Sequence, residues 1–337
     1  MTNVISRQCT FWRSQRFAVV SVAGLIALAA ASGTSAAAAP SDAKPQITLS
    51  YSQKTVDMMP LWIASDAGYF EKKGLDVTER YLPAQEGIPA LLTGQIQIAA
   101  IGGPDAISAV AQGAKLKFVL TLSPVYTFQF WAQPQFASAA KLKGQRVGVP
   151  STTGSLFAGT VLALRELGLT TTDVAITTLG SVPNVNNALL AGSVAAAASH
   201  APATYQFQRK GFVDLVDLAK KRIPSVNAGL LIPASWLGAH KDTVQRVVEA
   251  VMEGIHREQA DRAYVESEMQ KHMGVKDKAI QDFTYDFYVK EVIRSVPMPE
   301  VEQVESAKKA LSATNPKVKT VDIAAMVDQN FVRKAAK

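Results

Sequence analysis

Short apolar runs alternate with helix-period patterns along most of the chain, and this alternation constrains the fold more than any other feature. It is how mostly parallel sheets covered by helices read in sequence. Residues 47–51, 75–81, 96–101 and 118–122 read as strands. Between them, 60–66, 87–92 and 105–112 read as short helices, the first opened by Pro60, whose fixed φ and missing N–H suit an early helical position. A second unit follows residues 141–144: strand 146–149, polar loop 151–155, helix 156–167 closed by Gly168, strand 174–178, helix 184–191, and strands 195–199 and 213–218. Strand 229–232 then returns to the first type. The expected class is α/β with two lobes, each a mixed, mostly parallel sheet with flanking helices. Residues 40–135 and 223–337 build lobe 1 and residues 136–222 lobe 2, with crossings near 131–135 and 221–225.

The last third reads as helical support. Val244, Val247, Val248, Val251 and Ile255 recur at the spacing of one helix face, with Asp242 and Gln245 placed for a capping box. Phe283, Tyr285, Phe287 and Tyr288 fall in the same region and read as packing.

Residues 1–39 carry Arg7, Arg13 and Arg16, then the apolar run 17–30, then small residues, the order of a secretory signal. The run falls short of the ~20 residues that span a bilayer as a permanent helix. The expectation is a cleaved signal peptide and a protein working in the periplasm. Cys9 is the only cysteine and lies inside that signal, so the exported chain has no disulfide, thiolate nucleophile or cysteine metal site. Removing the three signal arginines lowers the formal net charge from +7 to +4, and the remaining lysines are scattered. No nucleic-acid partner is expected from such a surface.

Catalytic motifs are missing: no Gly-x-Ser-x-Gly elbow, His-Glu-x-x-His pair, Walker loop or Gly-x-Gly-x-x-Gly. His240, His256 and His272 sit in the helical third, where surface histidines are ordinary. No metal and no cofactor are expected. Ligands of open α/β sheets settle beyond the carboxyl ends of strands, and that rule selects four segments. The loop 52–59 offers Gln53, Asp57, Met58 and Met59, the two thioethers suiting a pocket floor or ordinary core filling equally well. Gly102, Gly103 and Pro104 let a guest approach the backbone, or simply make a tight turn. The loop 151–155 combines Thr152, Thr153, Gly154 and Ser155 with a helix start, and its hydroxyls exceed what one N-cap requires, which favours a site for a polar group. His200 closes a strand and can serve either a ligand or a backbone carbonyl. Tyr126 is added as a contact for the organic part of a guest. No arginine falls in these loops and Lys54 is their only lysine, so a guest with one acidic group and an apolar or aromatic body fits them.

The segments 60–70 (PLWIASDAGYF), 73–77 (KGLDV), 90–99 (ALLTGQIQIA), 142–150 (LKGQRVGVP), 188–195 (ALLAGSVA) and 327–332 (VDQNFV) together resemble the nitrate, sulfonate and taurine type of substrate-binding proteins of ABC importers, a family that also holds binders of the thiamine pyrimidine precursor. The resemblance covers essentially all of the chain after the signal. It implies a two-lobed type II periplasmic binding protein fold, a small-molecule ligand between the lobes, an ABC permease as partner, and a monomer. Gln97 and Ala195 stand where that family usually has acidic residues, and no arginine can be carried over from the sulfonate binders. The alternative functions are an enzyme on the same scaffold, resembling the histidine-using pyrimidine synthase since the desulfinase's cysteine is missing, or a partner that presents ligand to a membrane sensor.

Overall fold

The computed structural model describes residues 44–312 and 314–337; the signal-peptide reading lies outside them. Ten strands run in chain order: β1 Gln46–Tyr51, β2 Asp76–Tyr81, β3 Ile98–Ile101, β4 Leu116–Val125, β5 Gln129–Ala132, β6 Arg146–Val149, β7 Ala175–Thr178, β8 Ala196–Ser199, β9 Val213–Asp217 and β10 Pro224–Pro233. They form two five-stranded sheets, β2-β1-β3-β10-β4 and β7-β6-β8-β5-β9. In each, three parallel strands are extended by antiparallel ones: β10 between β3 and β4, and β5 between β8 and β9. This is the two-lobed α/β architecture expected from the alternation.

The register explains the sequence pattern. Leu49 pairs with Ile98 and Tyr51 with Ala100; β3, Ile98-Ala-Ala-Ile101, is buried at every position and so reads as a continuous apolar run, whereas β1 alternates, with Thr48 and Ser50 between apolar residues. β8 is Ala196-Ala-Ala-Ser199, fully buried, and its small side chains let the helix Gly154–Glu166 settle close to the sheet. Gly159 on that helix faces Phe128, where a Cβ would meet the ring. Gln97, at one of the departures from the family pattern, accepts a hydrogen bond from Thr48 N at 2.8 Å, a local packing role.

The first crossing differs from expectation. The sequence places a crossing near 131–135, yet Trp131 and Ala132 belong to β5, with Trp131 paired to Ala197 and Ala132 to Ala196. The chain passes between sheets earlier, over residues 126–128, because the backbone of 129–132 is committed to the lobe 2 ladder. The return passage runs over 218–223.

The helical third buries its stripe as patterned: Val244, Val247, Val248, Val251 and Ile255 are all fully buried on the helix Lys241–Ala260, each contributing about 1.5–2 kcal/mol. This helix lies on the helix Met59–Asp66, and Gly254 permits the contact, since a Cβ there would collide with Pro60 O. Asp242 does not cap: the helix begins at Lys241, which places Asp242 inside the first turn, where it pairs with Arg246 at 3.1 Å. Among the described residues no helix is long and apolar enough to cross a membrane.

Candidate functional site

A cavity of about 870 Å³ opens between the two lobes. One wall comes from lobe 1: Ser52, Gln53, Lys54 and Thr55 beyond the end of β1, Tyr81 at the end of β2, and residues 274–277 with Ile280 from the helical third. The other comes from lobe 2: Asn186, Asn187 and Leu190 on the helix Val182–Leu190, His200 after β8, and Pro202, Gln206 and Phe207 around the helix Ala203–Arg209.

The lobe 1 wall is fixed from behind by Asp57. Its carboxylate is buried and accepts from Thr55 Oγ1 at 2.9 Å, Tyr288 OH at 3.0 Å, Asn227 Nδ2 at 3.2 Å and the Ser123 hydroxyl, with Gln53 Nε2 at 3.5 Å. The single side chain therefore ties the loop after β1 to β4, β10 and the turn Asp286–Val292. Burial, reinforced by the neighbouring Asp57 carboxylate, holds the Tyr288 phenol well above its ordinary range, so it stays a donor. Asn227 Nδ2 also reaches Thr127 Oγ1 at 2.9 Å, which carries the network into the first crossing.

On the lobe 2 wall, His200 is buried and its Nδ1 lies 2.9 Å from Ala201 O. A carbonyl only accepts, so Nδ1 donates here and Nε2 is the ring nitrogen left over. Asn186 Oδ1 accepts from Ser199 Oγ at 2.8 Å, which leaves its amide N–H groups as donors. Gln53, Asn186, Asn187 and Gln206 thus give the cavity four carboxamides between apolar surfaces from Leu190, Phe207, Val275 and Ile280. Lys54, whose Nζ stands 5.4 Å from the Tyr81 ring centre, and Lys276 bring positive charge, and Asp277 a negative one that also caps the helix Lys278–Tyr285 through Ile280 N.

The sequence-selected residues divide. Gln53 and His200 line the cavity. Asp57 stands behind its wall. Met58 and Met59 are fully buried in the lobe 1 core, so of their two open roles the structure gives them core filling. Tyr126 is buried at the first crossing, 6.2 Å from Phe128, its hydroxyl without a hydrogen-bond partner among the described residues. Gly102, Gly103 and Pro104 are buried: a Cβ on Gly102 would collide with Ser155 Oγ of lobe 2, whereas Gly103 faces Val226 and Ala307 within lobe 1. The exposed Thr152 and Thr153 and the partly buried Gly154 and Ser155 do not line the cavity. Ser151 Oγ bonds Thr153 O at 2.9 Å, and the Asp105 carboxylate lies against Gly154, which adopts φ +83°. That carboxylate fills the space beside the helix start where an anionic group was expected to dock. Burial lifts its pKa to about 7.

The walls supplied by the helix Val182–Leu190 and by residues 274–280 escaped the sequence reading. Asn186 and Asn187, two poor helix formers side by side within a helix, are the signal that could have marked the former. His240 stacks on Trp236 and His272 on the buried Trp62, while His256 is exposed.

Comparison with known proteins agrees with this architecture. The riboflavin-binding protein RibY of Chloroflexus aurantiacus is 25% identical over 246 residues, covering 68% of this chain and 70% of RibY. The periplasmic aliphatic sulphonate binding protein SsuA of Escherichia coli superposes with a TM-score of 0.70 at 21% identity, over 84% of this chain and 92% of SsuA. The desulfurization enzyme DSZB superposes with a TM-score of 0.61 at 20% identity, over 86% of this chain and 99% of DSZB. The fold is that of the two-lobed periplasmic binding proteins, and it carries both binders and an enzyme. The sequence profile described as NMT1/THI5 like matches residues 55–261, and the chain belongs to that family.

Proposed function

We propose that this protein captures a small organic solute in the interlobe cavity, outside the cytoplasmic membrane, and hands it to the permease of an ABC importer. The observation that carries this reading is a cavity walled by both lobes, so that a guest touching both is a reason for them to close. The lobes close only to the extent that the guest prefers the closed form.

The cavity favours a particular class of guest. About 870 Å³ suits a molecule of one or more rings, whereas a taurine-sized anion would leave most of it to water. Of the four carboxamides Asn186 offers donors and the others read a hydrogen-bonding edge in either sense, and the flanking apolar side chains take the body. An acidic group, if the solute has one, meets Lys54 or Lys276 rather than the 151–155 loop, where the Asp105 carboxyl already fills the space. The riboflavin of RibY falls within this size class, and the sulphonate of SsuA defines the smaller end to be tested.

Catalysis is the competing reading, because DSZB shares the fold. The exported chain has no thiol, and His200 has its Nδ1 spent on a backbone carbonyl. We read it as a binding residue in a protein that works as a monomer.

The test is small-molecule mass spectrometry on material released from freshly purified residues 40–337, followed by melting curves against flavins, pyrimidines, carboxylates and sulfonates. One class should raise the melting temperature. Asn186→Ala and His200→Ala should each weaken that ligand about tenfold, ~1.4 kcal/mol. No thermal response to any class, or ligand turnover abolished by His200→Ala, sinks the transport reading.

A further inference from the structure

Away from the cavity, three elements of lobe 1 bring Asp66, Glu268 and His272 together, and we propose that they form a binding site for a divalent transition metal ion, zinc before others. Asp66 ends the helix Met59–Asp66, Glu268 ends the helix Arg262–Glu268, and His272 lies in the π turn Met269–Met273 that follows. His272 follows Glu268 by four positions, which places both on one face, and wide π turns of this kind recur at functional sites.

The donor atoms already converge. His272 Nε2 stands 2.7 Å from Asp66 Oδ2 and 3.3 Å from Glu268 Oε2, and all three donor atoms lie within 4.8 Å of one another. An ion about 2.1 Å from each donor needs them roughly 3–3.5 Å apart, so adjustment of well under the width of an atom suffices. The imidazole is held for this task. It stacks flat on buried Trp62, centroids 4.7 Å apart and planes within 7°.

A second observation points to a missing partner. Glu268 is only 5% exposed, and its Oε2 receives no hydrogen bond among the described residues: His272 Nε2, 3.3 Å away, is hydrogen-bonded instead to Asp66 Oδ2 at 2.7 Å. A buried carboxylate oxygen left without a partner is costly, and a cation at this point supplies one. The cation now nearest is Lys271, whose Nζ reaches Asp66 Oδ2 at 2.6 Å from a side chain more than half exposed. It is a tethered competitor, free to swing into solvent.

The donor set selects the metal. One imidazole nitrogen and two carboxylate oxygens suit zinc, cobalt or manganese, and disfavour magnesium and calcium, which take oxygen cages. Because only Met273 stands between His272 and the 274–280 segment that walls the cavity, an ion here would pin the base of that wall.

Calorimetric titration of tag-free, chelator-treated residues 40–337 tests the site. One equivalent of zinc should bind at micromolar concentration or tighter, and magnesium should not. Asp66→Asn and His272→Ala should each weaken zinc at least tenfold, His240→Ala should leave it unchanged, and Lys271→Gln should tighten it several-fold. Cobalt bound to the unaltered protein should give the visible absorption of a low-coordinate site, a readout that needs no variant to fold. Zinc binding weaker than millimolar, or binding untouched by both Asp66→Asn and His272→Ala, overturns the proposal.

Discussion

The loops 52–58 and 151–155 occupy equivalent places, each leading from the carboxyl end of a parallel strand into a helix, and both are rich in polar side chains. Their bonding differs. In the lobe 1 loop, Gln53 and Thr55 converge on Asp57, and Asp57 in turn is met by Ser123, Asn227 and Tyr288 from far along the chain. In the lobe 2 loop, the hydroxyl of Ser151 reaches no further than Thr153. The contrast teaches that the number of hydroxyls in a loop says little about its job. What decides is whether distant elements aim groups into it, and here they aim donors at one loop and a carboxylate at the other.

The largest expected effect is at Asp57. Asp57→Ala would leave the buried Thr55, Ser123, Asn227 and Tyr288 donors without their shared acceptor, at a cost of about 3 kcal/mol or more. Thr153→Ala, on the exposed loop, should stay within about 0.5 kcal/mol. Urea unfolding of both variants measures the gap; equal losses would erase the distinction between the loops.

Next comes the contact between lobes. Gly102→Ala should cost about 1–3 kcal/mol, because its Cβ collides with Ser155 Oγ and also lies 3.3 Å from Asn227 O. Ser155→Gly in the same chain should return part of that loss, and a double-mutant cycle reports how much. Strict additivity of the two changes would mean that the lobes do not meet there in solution.

These cases also show where the sequence was legible. Strand β6 at Arg146–Val149 and the valine stripe of Lys241–Ala260 were readable because periodicity and burial coincide in them. Strand β5 was not, since Gln129-Phe-Trp-Ala132 has no turn residue before it, and its partners, β8 and β9, lie some 65 to 90 residues away. The same limit applies to the site. Gln53 and His200 could be proposed from their position at strand ends, whereas Asn186 and Val275 reach the cavity only because the fold turns a helix face and a helix start toward it. Glycines carry the least local information: Gly102 looks like a ligand's approach path until Ser155 is placed against it.

The smallest effect concerns the carboxyl that fills the lobe 2 loop. Burial raises Asp105 from the ordinary aspartate range to about 7. Between about pH 4 and pH 7 the folded chain therefore keeps a proton that the unfolded chain releases, and by linkage stability falls as pH rises through that window. Fully expressed, that rise would be worth roughly 4 kcal/mol, but the side chain is partly exposed and sits in the first turn of the helix Gly103–Val110, where a negative charge is favoured. Asp105→Asn should accordingly gain about 1 kcal/mol at pH 8 and nothing at pH 4, flattening the slope between them. If urea midpoints of the variant and the unaltered chain run parallel from pH 4 to pH 8, Asp105 is solvated rather than pressed against Gly154, and the space beside that helix start is open to an anion after all.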